Sequence, residues 1–158
     1  MVHYYPIAIN LNNKSVVVVG GGLVAERKVK ALIGAGARVC VVSPVLTPLL
    51  RRLFHAGKIQ WKNKYISLSD LKKSNFIIAA TSDSKANKLI SVQAKKQKAL
   101  VNVVDQPELS NFISPAVFKK SKAIVAVYTD GKDPVLSRDL KNYLKENWNE
   151  FLSYRHKL

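Results

Sequence analysis

Cysteine is almost missing from this chain of 158 residues: Cys40 stands alone. That excludes an internal disulfide and any cysteine-based metal cluster within one chain, and it fits a reducing compartment, with the cytoplasm as the expected location. Acidic residues are scarce too, ten against 26 lysines and arginines, for a formal charge of +16. A field of that sign gathers polyanions, whether nucleic acid, an acidic membrane face or a small molecule with many carboxylates. Charge alone does not choose among them, because lysine scattered over a solvated surface gives the same total. Long apolar runs are also lacking. Nowhere do about 18 apolar residues follow without interruption, and Met1-Val-His-Tyr-Tyr-Pro6 has no basic stretch leading into an apolar one. Neither a signal peptide nor a membrane span is expected. The three histidines, His3, His55 and His156, are too dispersed for metal-ligand spacing, so no metal is expected.

What the chain does have is apolar material: 47% of its residues are hydrophobic, which suffices to offset the entropy of folding. Its length suits one main domain with a small appendage. Val16-Val-Val-Val19 is a β-branched run that stops at Gly20-Gly21-Gly22, as expected of a strand buried on both faces of a parallel sheet. Ala25, Val29, Leu32 and Ile33 then recur at helical spacing until Gly34 and Gly36. Arg38 to Val42 reads as a second strand, followed by a helix through Leu49, Leu50 and Leu53 to Gly57. Ile59 to Lys62, Phe76 to Ala80 and Leu100 to Val104 are further strands, with a helix over about Ser84 to Gln97. This alternation implies an α/β fold, a Rossmann-like, doubly wound, mostly parallel sheet.

After Asp105-Gln106-Pro107 the pattern changes. Phe112 to Val117 and Ala123 to Val127 form an expected antiparallel pair separated by Lys119-Lys120-Ser121-Lys122. Pro134 then opens one long helix with Leu136, Leu140, Tyr143, Leu144, Trp148, Phe151 and Leu152 along a stripe. Residues 1–106 are expected to form the dinucleotide-binding domain, and 107–158 a small extension of short strands and long helix. A terminal helix this apolar packs on its own domain or makes a dimer contact; sequence gives the two equal weight.

Gly20-Gly21-Gly22-Leu23-Val24-Ala25 matches the G-x-G-x-x-G/A fingerprint. Gly20 permits the tight turn, Gly22 lets a pyrophosphate approach the backbone, and small Ala25 lets helix and strand pack closely. Backbone N–H groups and the helix dipole then face the phosphates. Glycine triplets also occur in plain turns, but three of only seven glycines sit here between a β-branched strand and an amphipathic helix. The fingerprint's second half, an acid about 20 residues on that holds the ribose hydroxyls, is absent: the second strand ends in Val42-Ser43-Pro44. Carboxylate recognition of NAD is therefore missing, and NADP stays open.

Five blocks, Gly20-Gly-Gly-Leu-Val-Ala-Glu-Arg-Lys28, Ala79-Ala-Thr-Ser-Asp83, Asn102-Val-Val-Asp-Gln-Pro107, Phe112-Ile-Ser-Pro115 and Pro134-Val-Leu136, run in order across the chain. In order and spacing they resemble the precorrin-2 dehydrogenases, including the N-terminal module of multifunctional siroheme synthase and the fungal bifunctional dehydrogenase/ferrochelatase. The resemblance implies NAD as cofactor, precorrin-2 as substrate and sirohydrochlorin as product, on the way to siroheme. It places NAD contacts at Gly22, Leu23, Val24, Ser43, Pro44, Val45 and Thr81, and the family's catalytic aspartate at Asp105. Asp105 also follows an expected strand, at the sheet edge where open α/β folds bind ligands; on the residues alone an Asp before Gln-Pro reads first as a turn residue, and the resemblance reverses that preference. The family's Ser-Ser-Gly-Gly stretch reads Tyr128-Thr129-Asp130-Gly131 here, with Thr129 on a serine implicated in regulation or metal handling in some relatives. A substrate with eight carboxylates suits the basic charge, and a homodimer is expected.

Two rival activities stand beside this one: a bifunctional dehydrogenase that also inserts iron, and a regulatory domain that senses NAD without chemistry. The lysine-rich segments hold few aromatics and no RNA or DNA motif, so neither a nucleic-acid nor a membrane partner is expected.

Overall fold

The computed structural model describes residues 4–72, 74–104, 106–120 and 122–155. They form two compact units, one spanning residues 8–112 and the other residues 113–158 with the first seven. In the first unit, strand β1 (Ser15–Val19) buries all four of its valines, because helices cover both faces of the sheet. Helix α1 (Leu23–Gly34), strand β2 (Arg38–Val42), helix α2 (Pro48–His55) and strand β3 (Gln60–Lys62) follow. Strand β4 (Phe76–Ala79), helix α3 (Ser84–Lys96) and strand β5 (Leu100–Val103) complete the unit.

The sheet runs β3-β2-β1-β4-β5 with every pair parallel, so the fold is α/β and Rossmann-like. Alternate residues of β1 feed two cores. Val16 and Val18 pack with Ala25, Val29 and Leu32 of α1 and Leu50 of α2, while Val17 and Val19 pack with Leu71 and with Ile90 and Ala94 of α3. Each fully buried valine, leucine or isoleucine contributes about 1.5–3 kcal/mol. Strand order reverses between β1 and β4, and that switch point is where open α/β sheets take ligands.

The second unit holds an antiparallel hairpin of strands β6 (Ala116–Lys120) and β7 (Ala123–Val127), against which helix α4 (Pro134–Glu146) packs. Three expectations need correction here. The first strand of the pair begins at Ala116 rather than Phe112. The side chain of Asn111 takes up backbone groups beside β5, accepting from Val101 N at 2.7 Å and donating to Ala99 O at 2.9 Å, and the Phe112 ring lies 4.6 Å from Phe76. Lys119 and Lys120 are strand rather than linker, with both side chains on exposed positions. The long terminal helix is two helices, α4 and α5 (Trp148–Arg155). Asn147 separates them: its side-chain amide donates to Tyr143 O at 2.9 Å, a local bond that competes with the helical ladder. Among the described residues no helix is long and apolar enough to cross a membrane.

Candidate functional site

The three glycines after β1 are there for different reasons. Gly20 has φ +113°, and a Cβ on it would lie 2.2 Å from the Ala80 carbonyl oxygen, so it permits both the turn and the close approach of the β4 end. A Cβ on Gly21 would lie 1.9 Å from the Val45 carbonyl oxygen. Gly22 has ordinary extended backbone, φ −84° and ψ −173°, and nothing lies within 4 Å of where its Cβ would be. The protein's own packing gives no reason for a glycine at 22, and the space a side chain there would fill opens on the adjoining cleft. Gly22 is also the N-cap of α1 and has no side chain to cap it, whereas Thr47, Asp83 and Asp133 cap α2, α3 and α4. The first N–H groups of α1 are left for an anion, with the helix dipole behind them. Ala25 is fully buried and lets α1 pack on the sheet.

These groups border a cleft of about 930 Å³ within the first unit, at the upper end of the roughly 300–1,000 Å³ usual for small-molecule sites. Its floor is the turn from Gly20 to Val24, with Val42, Ser43 and Pro44 from the end of β2 and Ala80 to Asp83 from the end of β4. The start of α3, the segment from Lys64 to Leu68 and Val104 complete it. Of the residues singled out from sequence, Gly20, Gly22, Leu23, Val24, Ser43, Pro44 and Thr81 line this cleft. Val45 is not part of the lining; its side chain is 66% exposed and its carbonyl accepts from the Ser43 hydroxyl at 2.8 Å. Asp105 lies outside the described residues, as do His3 and His156.

Side-chain hydrogen bonds hold the cleft's loops in place. Thr47 N donates to Gly21 O at 2.9 Å, and its hydroxyl donates to the Glu26 carboxylate at 2.6 Å, tying the loop after β2 to both the glycine turn and α1. The Thr47 bond, helped by Lys30 at 3.3 Å, holds the Glu26 carboxyl below its ordinary value against the opposing effect of burial. Trp61 Nε1 donates to Ser43 O at 2.8 Å from the neighbouring strand. Beyond β4, Asn87 Nδ2 donates to Thr81 O and the Thr81 hydroxyl contacts Asn87 Oδ1, both at 3.0 Å, while the Asp83 carboxylate caps α3.

Sequence reasoning missed the Lys64–Leu68 wall. Behind it a 3-10 turn, Leu68–Leu71, carries Asp70, whose two carboxylate oxygens each bind a lysine at 2.8 Å, Lys62 on one and Lys64 on the other. Burial would raise the Asp70 carboxyl, but bonds from Lys62, Lys64 and Ser67 outweigh it and hold it well below the usual carboxylate range. The signal was present in Ser67-Leu-Ser-Asp70, the spacing of a capping box, which the structure forms in full. Among the described residues no group of three histidine, cysteine or acidic side chains could hold a metal ion.

Comparison with known proteins agrees with this geometry. The family model NAD_binding_7, described as "Putative NAD(P)-binding", matches residues 7–116, well over half of the chain. Siroheme synthase 1 of Aeromonas salmonicida (strain A449) is 42% identical over 142 residues, which cover 90% of this chain and 30% of that protein. Siroheme synthase 1 of Serratia proteamaculans (strain 568) is 39% identical with the same coverage, so the chain spans about 30% of the length of these curated relatives. A solved structure titled "SirC, precorrin-2 dehydrogenase" superposes with a TM-score of 0.82 at 28% identity, over 98% of this chain and 78% of that one. The likeness read from the five sequence blocks thus extends to nearly the whole fold.

Proposed function

The chain belongs to this NAD(P)-binding family, and from that premise we propose that it oxidises precorrin-2 to sirohydrochlorin with NAD as acceptor, a step of siroheme synthesis. The observation that carries the reading is the likeness to a solved precorrin-2 dehydrogenase over 98% of the chain. It is supported by a glycine turn in which Gly22 is free of any packing demand from the protein itself. When bound, NAD supplies a ring that accepts hydride, so that precorrin-2 and NAD+ give sirohydrochlorin, NADH and a proton.

The chain's residues have separable tasks in this scheme. Gly20 shapes the turn, Gly22 admits the pyrophosphate, and the N–H groups of Leu23 and Val24 at the start of α1 bind it. Ser43 and Pro44, which line the cleft, form the adenosine end, with the neighbouring Val45 just outside the lining, and Thr81 borders the cleft across the switch point. Asp105 takes the proton lost as the hydride departs. The net charge of +16 draws in a polycarboxylate tetrapyrrole. The protein works in the cytoplasm as a homodimer, whose contact includes the exposed stripe of Leu136, Leu140, Tyr143 and Leu144 on α4. Light scattering that finds a monomer at micromolar concentration removes the dimer from this account.

The test is anaerobic mixing of the purified chain with precorrin-2 and NAD while absorbance follows sirohydrochlorin and NADH. Both should rise in equal amounts, and their absence overturns the proposal. Asp105→Ala should abolish turnover and leave NAD affinity within a few fold, because a proton acceptor contributes to the transition state rather than to cofactor binding. Turnover at the normal rate in that variant removes Asp105 from the mechanism.

A further inference from the structure

A Rossmann site selective for NAD carries an acid after its second strand, which accepts from the ribose hydroxyls and repels a phosphate at the 2′ position. Here β2 ends in Ser43, a nearly buried residue whose hydroxyl donates to Val45 O at 2.8 Å. The neighbouring strand supplies cations instead. Ser43 N donates to Lys62 O at 3.2 Å and Lys64 N donates to the same oxygen at 2.9 Å, so the turn bearing both lysines is bonded to the backbone at the end of β2. Lys64 lines the cleft. Both ammonium groups sit 2.8 Å from Asp70, whose side chain is only 4% exposed, while the lysines remain 47% and 46% exposed. Two positive charges facing one buried negative charge leave a net positive edge. The capping box that fixes Asp70 also restrains the lysines, which lowers the entropy lost when one of them meets an anion.

We infer that Lys64, tethered beside the end of β2, is a specificity-determining residue that lets this cleft accept the 2′-phosphate of NADP alongside NAD. The inference rests on the nucleotide site proposed above and concerns its selectivity. Lys64 supplies a charge-assisted bond to the phosphate that the ribose hydroxyl of NAD cannot use to the same extent. No carboxylate among the cleft-lining residues at the end of β2 opposes it.

Titration calorimetry on the full chain tests this with four ligands: NAD, NADP, adenosine 5′-monophosphate and adenosine 2′,5′-bisphosphate. NADP should bind at least as tightly as NAD, and the bisphosphate about tenfold more tightly than the monophosphate, an advantage that shrinks as salt is raised. Lys64→Ala and Lys64→Gln should each remove that advantage and leave NAD within about twofold, with melting temperatures no lower than that of Asp70→Asn; Lys95→Ala, on exposed α3 surface, should change neither ligand. NADP more than tenfold weaker than NAD in the unaltered chain overturns the inference and leaves the nucleotide site standing. So does a Lys64 variant that weakens both dinucleotides equally. If neither dinucleotide binds, the nucleotide site itself falls and its selectivity with it.

Discussion

The sheet unit of residues 8–112 and the hairpin unit that follows it use apolar residues in opposite ways. In the first, β1 and β4 are buried along almost their whole length and Leu50, Leu71 and Ile90 are sealed beneath the helices. In the second, Phe118 and Val127 are the hydrophobic residues buried in the hairpin, and α4 leaves Val135, Leu136, Leu140 and Tyr143 exposed. A unit that closes its own core places function in the loops at its strand ends, where the glycine turn and the Ser43 and Thr81 loops lie on a rigid base. A unit that leaves its apolar face uncovered places function in whatever covers that face.

That contrast breaks if core and stripe substitutions cost the same. Ile78→Ala, at 1% exposure, should lower stability by about 2–5 kcal/mol in urea unfolding. Leu140→Ala, at 42% exposure, should cost under about 1 kcal/mol in a monomer, and a larger loss that grows with protein concentration would show that the face is covered by a second copy. Within the glycine turn the same logic separates folding from binding. Gly20→Ala forces a side chain into left-handed backbone against Ala80 O and should cost about 1–3 kcal/mol or more. Gly22→Ala meets open space, so its melting temperature should hold while dinucleotide affinity falls tenfold or more. Equal binding by Gly22→Ala and the unaltered chain would detach the turn from the cofactor.

Acid should act on the sheet unit through Asp70. Its carboxyl is held below the ordinary value of 3.8, so the stability it contributes is complete above that value and is lost as pH falls through it toward the folded value. Urea midpoints followed downward from about pH 5 should therefore drop more steeply for the native chain than for Asp70→Asn. Matching slopes would mean that the lysine contacts seen at Asp70 contribute nothing in solution.

The strands and first three helices could be read from sequence to within a residue or two, because β-branched runs, glycine stops and helical spacing agree along 15–103. The glycine turn was legible for the same reason: Gly20 to Ala25 carries its shape in local pattern. The Lys64–Leu68 wall was not, because irregular backbone has no period and its position depends on the Ser43–Lys62 bond between strands. The Glu26–Thr47 bond was hidden likewise, since a first-turn glutamate on the polar side of a helix reads as solvated until a loop 21 residues away arrives beside it. Asn147 was lost inside the apolar stripe, which runs through both helices at one spacing and masks the single polar residue that ends the first.

A more local effect lies in the hairpin unit and asks whether α4 stands on its cap as α2 and α3 do. Asp133 accepts from Leu136 N at 2.7 Å, and the Thr129 hydroxyl donates to Asp133 O at 2.7 Å, so one residue anchors the helix start and the turn before it. Asp133→Ala removes the cap but keeps the backbone carbonyl, which predicts a loss of about 1 kcal/mol. With little buried apolar surface to hold it, α4 should show that loss locally, as faster hydrogen exchange over its own amides while the amides of α3 keep their protection. Unchanged exchange in α4 would mean that contacts beyond the cap hold this helix, either its packing on the β6–β7 hairpin or a partner seated on the exposed stripe of Leu136, Leu140 and Tyr143.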